Sequence, residues 1–140
     1  LVASAQASGT DLKVESPGGP VSAAIDESQV LQVLTNLTLN AIQASPRGTE
    51  VRLRVTRPDP AHARVEVIDA GHGMSEHVKD HLFEPFFTTK QVGNGTGLGL
   101  AVSYGIVQDH GGTIEASSVL GQGTTFSVLL PTGEATWQVA

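Results

Sequence analysis

The sequence has no cysteine, few aromatic residues and no long apolar run. Without cysteine, neither a disulfide framework nor a thiolate metal site can form. Aromatic residues make up only 4% of the chain, which argues against a platform on which nucleic acid bases stack. No apolar stretch approaches the ~20 residues that a membrane-spanning helix needs. These shortages exclude several function classes before any motif is considered.

Positive charge is also scarce. Lys and Arg number 8 against 14 Asp and Glu, so the formal net charge is -6. Such a surface repels nucleic acid and anionic lipid, and we expect no nucleic acid partner. A chain of 140 residues can build one domain with one core. We expect this domain at 11–131, a disordered or linker remnant of a longer chain at 1–10, and a disordered tail at 132–140.

Apolar periodicity predicts alternating strands and helices. The predicted strands are residues 11–16, 21–25, 49–57 and 63–70, followed by a last hairpin formed by "GGTIEASSVL" and "GTTFSVLLP". The predicted helices are residues 27–44, 75–82 and 97–110. The first has Asp26 at its N-cap position, and its predicted apolar face consists of Val30, Val33, Leu34, Leu37 and Ala41. Because neighbouring strands form hairpins, the pattern favours a two-layer α/β sandwich with a largely antiparallel sheet.

Four glycines in seven residues, "GNGTGLG" (93–99), stand directly before an apolar helical pattern. Neither the dinucleotide fingerprint nor the P-loop fits, because Leu98 or Leu100 occupies the sixth position and no lysine follows a glycine. Backbone N–H groups at a helix N-terminus attract anions. The stretch therefore predicts a phosphate-binding loop, and a flexible linker is the alternative.

Asn36 and Asn40 lie four residues apart on the predicted helix 27–44, so their side chains share one face. Gln32 and Gln43 extend this polar strip beside the apolar face. An amide oxygen is a suitable ligand for Mg²⁺, which keeps water and substrate phosphates as its other ligands. The strip predicts the border of a cleft, and a solvated polar face is the alternative.

The stretch "IDAGHGM" places Asp69 at the end of an apolar strand and two glycines after it. Gly71 and Gly73 permit a tight turn with close approach of a ligand. A carboxylate here could accept a hydrogen bond from an exocyclic amine. A simple Asx turn after the strand is the alternative.

In this order, the stretches resemble the ATP-binding catalytic domain of sensor histidine kinases, in the superfamily shared with gyrase B, the heat-shock chaperone ATPase and MutL. The similar stretches are "NLTLNA" (N box), "DAGHGM" (G1 box), "FEPFFTTK" (F box), "GTGLGL" (G2 box) and "GQGTTF" (G3 box). The resemblance covers about residues 11–131. It implies a Bergerat-type fold, with a mixed, mostly antiparallel sheet and helices on one face.

The resemblance also implies a Mg-ATP site. It implies that Asn40 ligates Mg²⁺ with Asn36 beside it, and that Asp69 binds the adenine amino group. It further implies an adenine pocket shaped by Gly71 and Gly73 and supported by the hydroxyl of Thr124. The residues that it places along the phosphates are Gly95, Thr96, Gly97, Leu98 and Gly99. Residues 75–96 correspond to the ATP lid, anchored by Phe86 and Phe87.

Three positions depart from the family pattern. Relatives that hydrolyse ATP carry a Glu where this chain has Asn36, and an amide is a poor general base. Free ATP hydrolysis is therefore expected to be slow. Gln43 and Thr88 stand where many members carry basic residues. Lys90 is the nearest replacement cation, and we expect it to contact the terminal phosphate, a solvated lid lysine being the alternative. Asn36 and Lys90 are the candidate catalytic residues.

The implied function is that of a cytoplasmic protein-histidine kinase domain, which could be the cytoplasmic part of a membrane-anchored kinase. None of the five histidines has an H-E-x-x-x-P context or that of a metal site. We therefore expect the phosphoacceptor histidine in a dimerisation domain N-terminal to this chain, a response regulator downstream, a monomeric fragment and a homodimeric parent. The alternatives are a stand-alone anti-sigma-type serine/threonine kinase and a nucleotide-sensing module without catalysis.

Overall fold

The computed structural model describes residues 9–15, 25–84 and 99–132. Within these ranges the chain forms five strands and three helices. In chain order they are β1 (Asp11–Glu15), α1 (Glu27–Ala44), β2 (Glu50–Asp59), β3 (His62–Asp69), α2 (Glu76–His81), α3 (Gly99–Asp109), β4 (Thr113–Val119) and β5 (Gly123–Pro131). None of the described helices is long and apolar enough to cross a membrane.

The predicted elements that fall on described residues are present, with ends displaced by at most two residues. The predicted strand 21–25 lies outside the described residues except for Ile25, which is not in a strand. Gly97 and Leu98, the first residues of the predicted third helix, also lie outside them. Strand β2 continues to Asp59, two residues beyond its predicted end.

The five strands form one mixed sheet in the order β1-β2-β3-β5-β4. Strand β1 runs parallel to β2, and the other neighbouring strands are antiparallel. The β2–β3 and β4–β5 pairs are the two predicted hairpins. Because β5 inserts beside β3, the two hairpins join into one continuous sheet.

Both long helices cover the same face of the sheet. Helix α1 packs against β2 and β3, and α3 packs against α1 and β4. Beneath them, rows of apolar side chains cross β3, β5 and β4 in register. These rows are Val65–Val128–Ile114 and Val67–Phe126–Ala116. The opposite face carries polar rows such as Arg54–Glu66–Ser127–Glu115. The predicted mixed α/β fold with helices on one face is confirmed.

Helix α1 begins as its sequence predicts. The Asp26 carboxylate accepts a hydrogen bond from the Gln29 N–H at 3.1 Å and so caps one of the free amides of the first turn. The predicted apolar stripe is buried at Val30, Val33, Leu37 and Ala41, and only partly at Leu34. The buried face is wider than predicted, because it also includes Thr38 and Ile42. The helix is therefore held by its packing on the sheet.

Two leucines of α1 allow the contribution of this packing to the free energy of unfolding to be measured. Leu37 is fully buried and Leu31 is 60% exposed. We expect Leu37→Ala to lower the free energy of unfolding by about 2–5 kcal/mol, because the change leaves a cavity in the core. Leu31→Ala, the same substitution on the same helix, should stay within about 0.5 kcal/mol of the wild type. Urea unfolding of both variants checks this, and equal losses would contradict the described orientation of α1.

Candidate functional site

A row of polar side chains ends the helix-covered face of the sheet. Asp69 on β3 pairs with Thr124 on β5, which in turn pairs with Ser118 on β4. Each residue lies two positions along its strand from the Val67–Phe126–Ala116 row, so it points to the same face. Asp69 and Thr124 are each only 7% exposed. The register thus places three polar groups side by side at the edge of the apolar core.

The Asp69 carboxylate is held through one of its two oxygens. Oδ1 accepts hydrogen bonds from the Gly71 N–H at 2.8 Å and the Thr124 N–H at 3.2 Å. Within the described part of the chain, Oδ2 has no hydrogen-bond partner. The bond from Gly71 is the Asx turn that the sequence left as an alternative. The turn is present and still leaves one carboxylate oxygen for a donor group.

Burial of the Asp69 carboxylate raises its pKa, because a poorly solvated site disfavours the charged form. The backbone N–H groups of Gly71 and Thr124 act in the opposite direction, as does the nearby charge of His72. Burial of this carboxylate is thus unfavourable for its charged form. Such a group is a candidate for ligand recognition as much as for structure.

Two glycines bring the loop after Asp69 close to neighbouring backbone. A Cβ atom at Gly71 would lie 2.4 Å from the carbonyl oxygen of Ala44, the last residue of α1. Gly73 has a φ of +73°, and a Cβ there would lie 2.2 Å from the carbonyl oxygen of Val119 at the end of β4. No larger residue fits these approaches. The loop therefore runs between the C-terminal end of α1 and the β4–β5 turn.

Ser118 was missed by the sequence analysis. Its hydroxyl accepts a hydrogen bond from the Met74 N–H at 2.7 Å and lies 3.0 Å from the Gly123 carbonyl oxygen and 2.9 Å from Thr124 Oγ1. Strand alternation, which places Ser118 on the same face as Ala116, could have identified it. The hydroxyl links the loop after Asp69 to the β4–β5 hairpin.

Asn36 joins the two long helices. Its Nδ2 group donates to the Gly99 carbonyl oxygen at 3.3 Å and lies 3.4 Å from Ser103 Oγ. A carbonyl oxygen only accepts, so the amide nitrogen must face α3 and the amide oxygen must point away from Gly99. Ser103 is fully buried. Asn36 therefore positions the first turn of α3 against the middle of α1.

Helix α1 contacts two separate parts of the predicted site. Its last residue, Ala44, contacts Gly71 in the loop after Asp69, and Asn36 contacts Gly99 at the start of α3. Asn40 lies between these two contact points and is half-buried. The structure therefore brings the asparagine strip, the carboxylate at the end of β3 and the start of α3 to one region.

Several predicted site residues lie outside the described residues. They are Lys90, Gly95, Thr96, Gly97 and Leu98, together with Phe86, Phe87 and Thr88 of the F-box stretch. Phe83, the first residue of that stretch, stacks on Tyr104 of α3 at 5.2 Å and meets Phe126 edge-on at 6.5 Å. The start of the F-box stretch is thus packed on α3 and the sheet.

No group of three or more His, Asp or Glu side chains among residues 9–15, 25–84 and 99–132 could hold a metal ion. His77 and His81 on α2 have ring centroids 4.8 Å apart, and His81 also pairs with Glu84. The described part of the site therefore offers a cation single carboxylates, amides and hydroxyls, and no cluster of acidic or histidine ligands.

The buried carboxylate predicts an unusual pH dependence. Because its pKa is raised, the folded state holds this proton more tightly than the unfolded state. The ordinary pKa of this carboxyl is 3.8. As the pH rises from that value through the raised pKa of the folded state, Asp69 progressively lowers the free energy of unfolding. Asp69→Asn keeps an acceptor for the Gly71 and Thr124 N–H groups and carries no charge. We expect it to be more stable than the wild type at neutral pH.

Urea unfolding of both proteins between pH 3.5 and pH 7.5 measures this effect. The advantage of Asp69→Asn should grow with pH and level off above the raised pKa. An advantage that is absent at neutral pH, or that shrinks as the pH rises, would show that burial does not govern this carboxyl.

The sequence model of the family described as histidine kinase-, DNA gyrase B- and HSP90-like ATPase matches residues 25–134. Sensor histidine kinase ZraS of Escherichia coli K12 is 46% identical over 76% of this chain and 22% of its own length. Sensor kinase CckA of Brucella abortus is 42% identical over 80% of this chain and 13% of its own length. The chain therefore spans less than a quarter of the length of these curated relatives.

Solved structures agree with these matches. The nucleotide-free catalytic domain of histidine kinase ThkA has a TM-score of 0.79 and 30% identity, and the match covers 91% of this chain and 83% of that one. Full-length ShkA in complex with AMPPNP has a TM-score of 0.83 and 28% identity, over 92% of this chain and 27% of that one. From its sequence match and its fold, this chain belongs to the family of histidine kinase-, DNA gyrase B- and HSP90-like ATPases.

Proposed function

We propose that this chain binds Mg-ATP and is the catalytic domain of a sensor histidine kinase. The observation that carries the proposal is the Asp69 carboxylate, which is buried, accepts two hydrogen bonds through Oδ1 and lies beside the end of α1. CckA and ZraS, which match this chain, are sensor kinases, and ShkA was solved with an ATP analogue. In this proposal Asp69 Oδ2 accepts a hydrogen bond from the exocyclic amine of adenine.

The adenine end of the site is built by the polar row. Gly71 and Gly73 let the loop after Asp69 approach the end of α1 and the β4–β5 turn closely, and so shape the wall on which the base would lie. Thr124 adds a hydroxyl beside the carboxylate. A hydrogen bond to a charged group contributes about 1.5–3 kcal/mol, so Asp69 is expected to supply a large share of the selectivity for the base.

The phosphate end is assigned to the region between α1 and α3. Asn40 would hold Mg²⁺ through its amide oxygen, and the donor chemistry fits, because hard oxygen ligands suit this cation. When bound, Mg²⁺ would offset the charge of the phosphates. The start of α3 is pinned by Asn36. Gly95, Thr96, Gly97, Leu98 and Gly99 would then offer main-chain N–H groups to the phosphates, and Lys90 a cation to the terminal one.

This site positions ATP without a strong base beside it. Asn36 is an amide and its nitrogen already bonds to Gly99, so it is a poor candidate to activate water. We therefore propose slow hydrolysis of free ATP and transfer of the γ-phosphoryl group to a histidine nitrogen on another domain, with release of ADP. Positioning and electrostatic stabilisation supply most of the catalysis in such transfers.

The partners are proposed from the same relatives. A dimerisation domain that carries the phosphoacceptor histidine would present it to the γ-phosphate, and a response regulator would take the phosphoryl group from that histidine. The parent protein would be a homodimer, and this domain would be monomeric by itself and work in the cytoplasm. The sensor kinases ZraS and CckA support this arrangement, because this chain matches only a small part of each.

Mg-ATP should stabilise the fold, and the gain should depend on Asp69. At 100 times Kd, ligand binding adds ~2.7 kcal/mol to the free energy of unfolding. Asp69→Asn places an N–H donor in the carboxylate site and should weaken Mg-ATP by about 1.5–3 kcal/mol, measured by calorimetry. Glu66→Gln changes a carboxylate on the opposite face of the same strand and should bind like the wild type. Wild-type affinity in Asp69→Asn would remove this residue from the site.

Phosphotransfer separates the proposal from its alternatives. The chain should label a separately supplied phosphoacceptor hairpin from γ-³²P-ATP, and the label should be acid-labile, as phosphohistidine is. Asn40→Ala should abolish the transfer, because the variant lacks the proposed Mg²⁺ ligand. Acid-stable label on serine would favour a stand-alone serine/threonine kinase instead. Binding of ATP without any label would favour a nucleotide-sensing module.

A further inference from the structure

We propose that Ser118 is a positioning residue that selects the base, because it fixes the direction of the Thr124 hydroxyl. The inference rests on the proposed function, since it concerns the base of the nucleotide. Ser118 does not adjoin Asp69 in the row; Thr124 lies between them. Any influence of Ser118 on the base must therefore pass through its neighbour.

The hydrogen-bond geometry around Ser118 settles which group donates. The Met74 N–H can only donate, so Ser118 Oγ accepts at 2.7 Å. The Gly123 carbonyl oxygen can only accept, so Ser118 satisfies it by donating its single proton at 3.0 Å. The remaining contact, 2.9 Å to Thr124 Oγ1, is then satisfied when Thr124 donates to Ser118.

The opposite arrangement satisfies fewer groups. If Ser118 donated its proton to Thr124, the contact between Ser118 and the Gly123 carbonyl oxygen would lose its hydrogen bond. The first arrangement makes three hydrogen bonds among these four groups, and the second makes two. Because all three contacts lie within hydrogen-bond distance, we assign the first.

With this assignment, Thr124 and Asp69 both present hydrogen-bond acceptors to the proposed base site. The Thr124 proton points toward Ser118, so only lone pairs of Thr124 Oγ1 remain for a ligand. Beside it, the carboxylate of Asp69 also accepts. Two neighbouring acceptors complement an exocyclic amine and repel a carbonyl oxygen at the same position. Ser118 therefore contributes to the preference for a 6-amino purine over a 6-oxo purine without touching either.

ATP and ITP test the inference, because ITP carries a carbonyl oxygen where ATP carries the amine. In Ser118→Ala the Thr124 hydroxyl loses its acceptor, rotates and can donate to that carbonyl. We expect the ratio of the two dissociation constants, Kd for ITP over Kd for ATP, to fall about tenfold, the worth of one hydrogen bond. Ser118→Thr keeps a hydroxyl in place and should retain the wild-type ratio.

Ser117→Ala is the matched control, because Ser117 is exposed on the same strand and faces the polar side of the sheet. It should leave the ratio unchanged. If Ser118→Ala does not fold, Ser118→Cys takes its place, since a thiol is only a weak donor and acceptor. The ratio should fall in that variant too. Amide exchange of Met74 should also accelerate in the variant used, because its N–H loses a strong acceptor.

The outcomes separate the two proposals. A wild-type ratio in the Ser118 variant, whether both nucleotides bind equally more weakly or neither is affected, would mean that Ser118 is merely structural and would overturn the inference alone. A wild-type protein that binds neither nucleotide would overturn the proposed function and this inference with it.

Discussion

The two hydrogen bonds that Asp69 Oδ1 accepts hold the candidate site together. One comes from Gly71 in the loop that follows β3, and the other comes from Thr124 on the neighbouring strand. They stabilise a charge that burial disfavours, and they fix the loop against the end of α1. The position of the second carboxylate oxygen depends on both bonds. The same constraint makes the site costly to stability near neutral pH, as is common for residues that serve recognition.

A change from apolar to polar residues along three strands separates core from site. The Val67–Phe126–Ala116 row lies under the helices, and the next row along the same strands is Asp69–Thr124–Ser118. Since both rows lie on one face of the sheet, the polar row of the site directly continues the packed apolar core. At the other end of the site, the hydrogen bond from Asn36 to Gly99 fixes the start of α3 on α1. Asp69, Thr124 and Gly99, three of the residues proposed to meet the base and the phosphates, therefore stand on regular elements.

Much of this architecture could be predicted from the sequence. Alternation of apolar and polar residues predicted β2, β3, β4 and β5. The 3.6-residue apolar period predicted α1, and Asp26 predicted the start of that helix. The order of the motifs indicated the family, which the sequence match and the fold confirmed. The width of the buried face of α1 was underestimated, because Thr38 and Ile42 are buried by the sheet beneath them and not by any local pattern.

The sequence by itself determined the elements, their order and the residue types of the site, because these depend on short-range periodicity and spacing. Only the tertiary structure decided which atoms are engaged. It placed both bonds of Asp69 on Oδ1, turned the Asn36 nitrogen toward Gly99 and set Ser118 beside Thr124. The physical reason is register: β5 pairs with both β3 and β4, and α1 meets the start of α3 more than 60 residues later. Contacts across such separations follow from the packing of the whole core and leave no signal in a local stretch.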